Sequence, residues 1–212
     1  MDAVSVERCA DGEQRLVAMR HLAMDEVILE EVPLFEMPDE EILERKCSRY
    51  VAAWRYACQR IGQDGVERIF AHQFSEGAAA GTKAQEVHNA LQLEVPVAQQ
   101  PAASRFLMVL MSNSFRFTGP KGNRLTALFE IMSRVNHSCL PNARMVGDGH
   151  PAKLVTTKSV APQEEIFLCY GGWNTGFVEQ PLRQRQQHLL GNWGFVCQCG
   201  RCQQEPRDSK TP

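Results

Sequence analysis

The stretch Asn136-His137-Ser138-Cys139-Leu140-Pro141-Asn142 carries more information than any other part of this chain. Two further stretches follow it in order. Residues 164–171 read E-E-I-F-L-C-Y-G, and residues 193–202 read W-G-F-V-C-Q-C-G-R-C. Each stretch alone is weak evidence, but three of them in one order along 212 residues point to a specific fold.

The last stretch has metal-ligand spacing. Its thiols, Cys197, Cys199 and Cys202, form C-x-C-x-x-C, a spacing that lets three thiolates surround one ion. A structural zinc site needs four tetrahedral ligands, so a fourth ligand must come from elsewhere in the chain. The alternative is a set of reduced free thiols in a flexible tail. Eight cysteines without a recognisable secretory signal favour zinc over disulfides.

Charge and hydropathy exclude some classes of function. The net charge is −2, and no cluster of Lys and Arg interleaved with aromatic residues occurs, so we expect no direct binding of nucleic acid. No stretch of ~18 apolar residues is present, so we expect no membrane span. We therefore expect an intracellular protein, nuclear and/or cytoplasmic. The sequence leaves its oligomeric state open.

The three stretches together resemble the core and tail of SET-domain protein-lysine methyltransferases. The resemblance is SMYD-like, but residues 36–112 hold only Cys47 and Cys58, too few for a MYND zinc finger. It implies an α+β fold, mainly β, in which small antiparallel sheets surround a pseudoknot, with a helical insert and a zinc-bound post-SET tail. It also implies that Cys139 is the fourth zinc ligand and that S-adenosyl-L-methionine is the cofactor.

The resemblance implies roles for five further residues. Asn136 and His137 contact the cofactor, and Asn113, in S-N-S-F, resembles another cofactor contact. Tyr170 both orients the substrate amine, as the catalytic residue, and borders the cofactor, while Phe195 lines the lysine channel near adenine. Taken singly, the histidine reads as a satisfied buried side chain, the tyrosine as a core residue and Asn113 as a polar helix end.

The chain departs from the family's usual pattern ahead of its first SET strand. Relatives have G-x-G there, since bare backbone approaches the cofactor closely, whereas this chain has Glu13-Gln14-Arg15 ahead of Leu16. Arg15 and Leu16 are the predicted cofactor contacts at this point. Glu13 places a negative charge near the cofactor's carboxylate, whereas Arg15 can donate a charge-assisted hydrogen bond to it. The sequence does not decide between these two effects.

Three milder departures concern two turn positions and one aromatic position. Asp25 and Gln163 stand where relatives often have turn glycines. Trp193 stands where many relatives have a tyrosine, which leaves the number of methyl groups transferred open.

Periodicity places these motifs on elements. β-Branched and alternating residues predict strands, with Pro33 marking an edge or a strand end. Apolar steps of three and four behind an acidic turn predict a helix that Gly62 ends. The predicted strands are 16–19, 26–35, 153–157 and 165–170, and the predicted helices are 39–61, 66–74, 101–113 and 181–190.

The predicted layout is one SET domain over residues 1–205 with a disordered end. Its parts are N-terminal SET strands (12–35), a helical insert (36–112), a C-terminal SET core (113–172), a post-SET helix with the zinc tail (173–205) and the disordered end (206–212).

We expect S-adenosylmethionine-dependent methylation of a lysine in a histone or another protein. The rival is a catalytically degenerate SET-fold module that binds a protein partner and keeps zinc for stability. The altered G-x-G supports the rival, and the intact Tyr170 and Phe195 oppose it. A zinc module that binds nucleic acid lacks the basic clustering it would need.

Overall fold

The computed structural model describes residues 2–10, 12–40, 48–70, 82–118, 122–147, 151–172 and 175–205. It opens with an antiparallel hairpin of β1, Val4–Arg8, and β2, Gln14–Ala18. The strand predicted at 16–19 is thus confirmed, and its buried end, Leu16 to Ala18, anchors the hairpin. Strand β1 was not predicted, because its alternation V-S-V-E-R is short and polar.

The predicted strand 26–35 is two strands in different sheets. Strand β3, Val27–Glu31, belongs to a three-stranded sheet with two later strands, whereas β4, Phe35–Pro38, joins another sheet. Pro33 lies in the gap between them, because proline cannot donate a ladder hydrogen bond. Its prediction as a strand end is confirmed.

The described chain divides into two compact units. The first comprises residues 1–30, 134–146 and 153–212, and the second comprises 31–133 and 147–152. The second unit contains the helices α1, Arg49–Ile69, α2, Thr82–Glu94, and α3, Gln100–Asn113. The domain boundaries given above remain predictions.

Residues 39–40 are helical, and α1 begins at Arg49 after the undescribed residues 41–47. Ser48 caps it, since its hydroxyl accepts a hydrogen bond from the Tyr50 amide. Gly62 interrupts it at φ 65° and ψ −171°, but helical geometry resumes and continues to Ile69. The predicted break at Gly62 is therefore confirmed, with one helical segment before it and a second that runs to Ile69. Residues 41–47 and 71–81, which include the last part of the predicted helix 66–74, lie outside the described residues.

The helices pack against a sheet of β4, β5, Phe115–Thr118, and β6, Arg124–Leu128. Phe106 of α3 is fully buried and makes an edge contact with Phe35 of β4. Pro101 lies in the first turn of α3, which confirms the predicted start. This packing gives the second unit its apolar core.

The first unit carries the three informative stretches. Strand β7, Asn136–His137, pairs in parallel with β10, Phe167–Leu168. Strands β8, Ala143–Val146, and β9, Ala152–Thr156, complete the sheet that contains β3. Within the predicted strand 165–170, only β10 forms a regular ladder.

The tail begins with α4, Leu182–Trp193, followed by the short α5, Gly200–Gln204. Gly194 ends α4 in the left-handed conformation at φ 76°, which glycine adopts without strain. The predicted helix 181–190 is confirmed and extends one turn further. The predicted disordered end, 206–212, lies outside the described residues. None of the described helices combines the length and apolar character required to cross a membrane.

Candidate active site and metal centre

Four cysteines converge in the first unit. The sulfur atoms of Cys139, Cys197, Cys199 and Cys202 all lie within 4.8 Å of one another. The sulfurs of Cys139 and Cys202 are 3.5 Å apart. Tetrahedral zinc with Zn–S bonds of about 2.3 Å requires sulfurs about 3.8 Å apart. The donor type, number and spacing therefore fit a structural zinc ion.

Helix α4 holds the tail that carries three of these thiols. The Gln186 side chain accepts from the Cys197 amide at 2.8 Å and donates to the Cys197 carbonyl at 2.8 Å. The Cys199 amide also points to the Cys197 sulfur, 3.5 Å away. The pKa of Cys197 is lowered, because the Cys139 thiol donates a hydrogen bond to its sulfur while burial opposes the shift.

His137 links this cluster to Tyr170. Its Nδ1 accepts a hydrogen bond from the Tyr170 amide at 3.0 Å. A neutral imidazole that accepts at Nδ1 carries its proton on Nε2. That Nε2 lies 3.4 Å from the Cys139 sulfur, so the ring donates toward the cluster. The buried side chain is thus satisfied at both nitrogens.

The Tyr170 hydroxyl donates to the Val135 carbonyl at 2.9 Å. Burial raises the pKa of Tyr170, and the nearby carboxylates of Glu165 and Glu13 raise it further, because both disfavour a phenolate. The phenol therefore stays protonated at neutral pH. Its donor is used, but its oxygen can still accept a hydrogen bond.

Aromatic rings surround Tyr170. Its ring centroid lies 5.3 Å from that of Trp193 and 6.2 Å from that of Phe195, the latter edge to face. The Phe195 and His137 rings are 5.9 Å apart. Gly171 allows Phe177 to pack closely, since a Cβ at Gly171 would lie 2.0 Å from the Phe177 ring.

The amide of Asn136 has a fixed orientation. Its Nδ2 donates to the Gln14 carbonyl at 3.0 Å and to Glu165 Oε1 at 2.9 Å. Both amide hydrogens are used, so the Asn136 side chain offers an acceptor, Oδ1, to a ligand. Burial raises the pKa of Glu165, and the bond from Asn136 partly offsets this.

Arg15 and Leu16 lie beside this amide on β2. The Arg15 guanidinium bonds Glu7 at 3.0 Å through Nη2. Its Nε is buried and has no hydrogen-bond partner among the described residues. Leu16 is fully buried, and its carbonyl accepts from the Ile166 amide at 2.7 Å. Arg15 therefore has a spare donor, whereas Leu16 offers mainly packing.

One residue that the sequence predicts to contact the cofactor lies in the second unit. Asn113 ends α3, and its side-chain amide donates to the Val109 carbonyl one turn earlier at 3.0 Å. The remaining predicted site residues all fall in the first unit: Arg15, Leu16, Asn136, His137, Cys139, Tyr170, Phe195, Cys197, Cys199 and Cys202.

Sequence reasoning missed several residues that support this site. Glu165 and Arg185 look like ordinary solvated charges in sequence, and Gln186 looks like part of a polar helix face. Phe177 and His188, whose rings are 5.3 Å apart, carry no motif. The signal that would have found Glu165 is its place five residues before Tyr170 in the same stretch.

Comparison with known proteins gives a family. The SET domain matches residues 14–171. A methyltransferase of Gibberella zeae is 38% identical over 114 residues, covering 52% of this chain and 15% of that protein. The protein-lysine N-methyltransferase SMYD4 of Mus musculus is 34% identical over 95 residues, covering 44% of this chain and 12% of that protein. The match thus spans a small part of these relatives.

The fold has a counterpart among solved structures. The structure of Rubisco LSMT bound to AdoMet matches with a TM-score of 0.57 over 92% of this chain and 52% of that chain. At 14% identity this likeness concerns the fold alone. It agrees with the SET fold expected from the three stretches, and the family match covers more than half of the chain. The chain therefore belongs to the SET-domain family.

Proposed function

We propose that the chain is an S-adenosylmethionine-dependent protein-lysine N-methyltransferase. The observation that carries this proposal is the arrangement around Tyr170. The protonated phenol of Tyr170 donates to the Val135 carbonyl, and the Tyr170 amide donates to His137. The Trp193 and Phe195 rings lie beside it, in a chain of the SET-domain family.

The residues near β2 suit the polar end of the cofactor. The Asn136 carbonyl oxygen is the acceptor that an ammonium group needs, and the buried Arg15 Nε is a donor that a carboxylate needs. This pairing replaces the bare backbone of G-x-G. It also addresses the conflict between Glu13 and Arg15, because a donor with no other partner favours carboxylate binding.

The role we propose for Tyr170 is to orient the amine. Bound S-adenosylmethionine would supply an electrophilic methyl group, whose S–CH3 bond would break as the N–CH3 bond forms, with S-adenosylhomocysteine as the leaving group. The attacking lysine must be neutral, although its free pKa is about 10.4. Tyr170 cannot serve as the base at neutral pH, because its own pKa is raised. Its oxygen instead accepts a hydrogen bond from the amine, and the aromatic walls exclude water.

The metal in this proposal is structural. Four thiolates fill a tetrahedral shell and leave no open position for substrate. Zinc bound by Cys139, Cys197, Cys199 and Cys202 would join the tail to the core and thereby place Phe195 beside Tyr170. It would contribute folding free energy rather than chemistry.

The proposed substrate is a lysine in a protein or peptide. The relatives named as lysine methyltransferases include SMYD4 and a histone-lysine N-methyltransferase SET5 of Meyerozyma guilliermondii, 32% identical over 87 residues. A histone is therefore one candidate to screen, with non-histone proteins beside it. An intracellular location, nuclear and/or cytoplasmic, remains part of the proposal.

Calorimetric titration of the zinc-loaded chain with S-adenosylmethionine and S-adenosylhomocysteine tests the proposal. We expect micromolar binding, and an Arg15→Met variant should bind about tenfold more weakly, because a charge-assisted hydrogen bond is lost. Folded, zinc-replete protein that binds neither compound would support the rival, a SET-fold module that only binds a protein partner.

A further inference from the structure

Arg185 is a fully buried charged side chain next to the cysteine cluster. It lies on α4 at 0% exposure, and its Nη1 donates to the Gln180 carbonyl. Its Nη2 donates to Glu205 Oε2 at 2.8 Å and lies 3.7 Å from the Cys202 sulfur. Its Nε has no hydrogen-bond partner among the described residues. Burying a guanidinium is costly unless negative charge compensates it.

Glu205 alone does not balance this charge. Its Oε2 binds Arg185, while its Oε1 binds Arg201, so two guanidinium groups share one carboxylate. The Arg201 side chain is 26% exposed and is therefore screened by water, whereas Arg185 is not exposed at all. The excess positive charge of Arg185 lies against sulfur.

A zinc-loaded cysteine cluster carries excess negative charge. Four thiolates around a divalent zinc ion carry a net charge of about −2, and three of the four cysteines are buried. A guanidinium that donates to a ligating sulfur offsets part of that charge. The two buried groups thus compensate each other.

We propose that Arg185 donates a hydrogen bond to the zinc-bound Cys202 thiolate and thereby raises the affinity of the cluster for metal. This inference rests on the metal part of the proposed function and adds a residue that the motif does not contain. Through Glu205 and Gln180, Arg185 also fixes α5 and the segment before α4 around the same sulfur.

The test is zinc affinity measured by competition with a chromophoric chelator, in the full chain. Arg185→Met should weaken zinc binding about 10- to 100-fold, the usual cost of losing an outer-shell partner. Arg183→Met is the matched control, because Arg183 is exposed on the same helix. Its zinc affinity should stay within about twofold of the wild type.

A second measurement separates an action on sulfur from a purely structural ion pair. If Arg185 acts only through Glu205, the Arg185→Met effect on zinc affinity should vanish in a Glu205→Ala background, which removes the acceptor. If Arg185 instead acts by donating to the Cys202 sulfur, Arg185→Met should still weaken zinc binding in that background. Donation to the sulfur also predicts that the sulfur-to-cobalt charge-transfer band of the Co²⁺-loaded protein moves to lower energy in Arg185→Met, since the sulfur loses a donor.

Arg185→Lys serves if the methionine variant does not fold. It keeps the charge but not the fork of donors, so its zinc affinity should fall between those of the wild type and Arg185→Met. Equal zinc affinity and an unmoved cobalt band in a folded Arg185 variant would overturn the proposal while leaving the metal site intact. A wild-type chain that binds no zinc would overturn the metal site as well.

Discussion

Among single residues, Tyr170 has one hydrogen bond that fixes its hydroxyl, and its oxygen can still accept a second one, as the proposed role in orienting an amine requires. Tyr170→Phe removes the hydroxyl that bonds Val135 and would orient the amine. We expect turnover to fall roughly 100-fold, the usual cost of losing one preorganised polar contact. Affinity for S-adenosylhomocysteine should stay within about twofold, because the ring remains. Steady-state kinetics and calorimetry measure the two effects, and a matching loss of cofactor affinity would contradict the assigned role.

The pH dependence of the same variant separates orientation from base catalysis. The raised pKa of Tyr170 means that the phenol stays protonated through neutral and mildly alkaline pH. The turnover rate of the wild type should rise with pH as substrate lysine deprotonates. Tyr170→Phe should show the same rise at a lower level, whereas a changed pH profile would identify the phenol as the titrating base.

Gly171 is required for packing rather than for backbone freedom. A Cβ there would lie 2.0 Å from the Phe177 ring, a buried ring that contacts His137. Gly171→Ala should therefore lower the free energy of unfolding by about 1–3 kcal/mol through overpacking. Gly191→Ala is the control, because nothing lies within 4 Å of its added Cβ and alanine favours the helix. Urea unfolding should show loss for the first and no loss for the second.

Elements show how far sequence reasoning reaches in this chain. Helices α3 and α4 were predicted within a turn. Pro101 marks the start of α3, whereas the end of α4 at Gly194 lies beyond the predicted end at residue 190. The prediction of turn glycine positions also holds in physical terms, since Asp25 and Gln163 both adopt positive φ, at 59° and 65°. Pro33 signalled the boundary between β3 and β4, but the sequence could not show that the two strands join different sheets, because that depends on their pairing partners.

The site was predictable only where a motif carries it. The place of Cys139 beside the tail thiols came from resemblance, since 58 residues separate it from Cys197 and spacing alone could not pair them. The supporting charge of Arg185 has no sequence pattern, because its role depends on tertiary contacts. The roles assigned to the predicted site residues stay predictions.

Glu31, at the end of β3, caps the 3-10 turn that leads toward β7. Its carboxylate accepts from the amides of Glu130, Ile131 and Met132 at 2.6–2.9 Å. Glu31→Ala leaves these donors without their charged acceptor, so we expect a loss of about 2–3 kcal/mol in unfolding free energy.

Glu30→Ala, one residue earlier, is the control for Glu31→Ala. It removes only an exposed ion pair with Lys153, which is typically worth under about 1 kcal/mol. Thermal unfolding of both variants checks the contrast. Equal losses would mean that the three amide bonds to Glu31 contribute little.

At the scale of the whole molecule, the cysteine cluster joins stretches far apart in sequence, and His137 connects it to Tyr170. Removing zinc should therefore loosen the tail and reduce activity together. Cys199→Ser should lower zinc content below one ion per chain and lower the melting temperature, because a tetrahedral site loses a ligand. Cys169→Ser is the control, since Cys169 packs beside the cluster without belonging to it. It should keep its zinc, as measured by metal analysis alongside melting curves. A Cys199→Ser protein with full zinc content and unchanged melting would show that the tail does not depend on this metal.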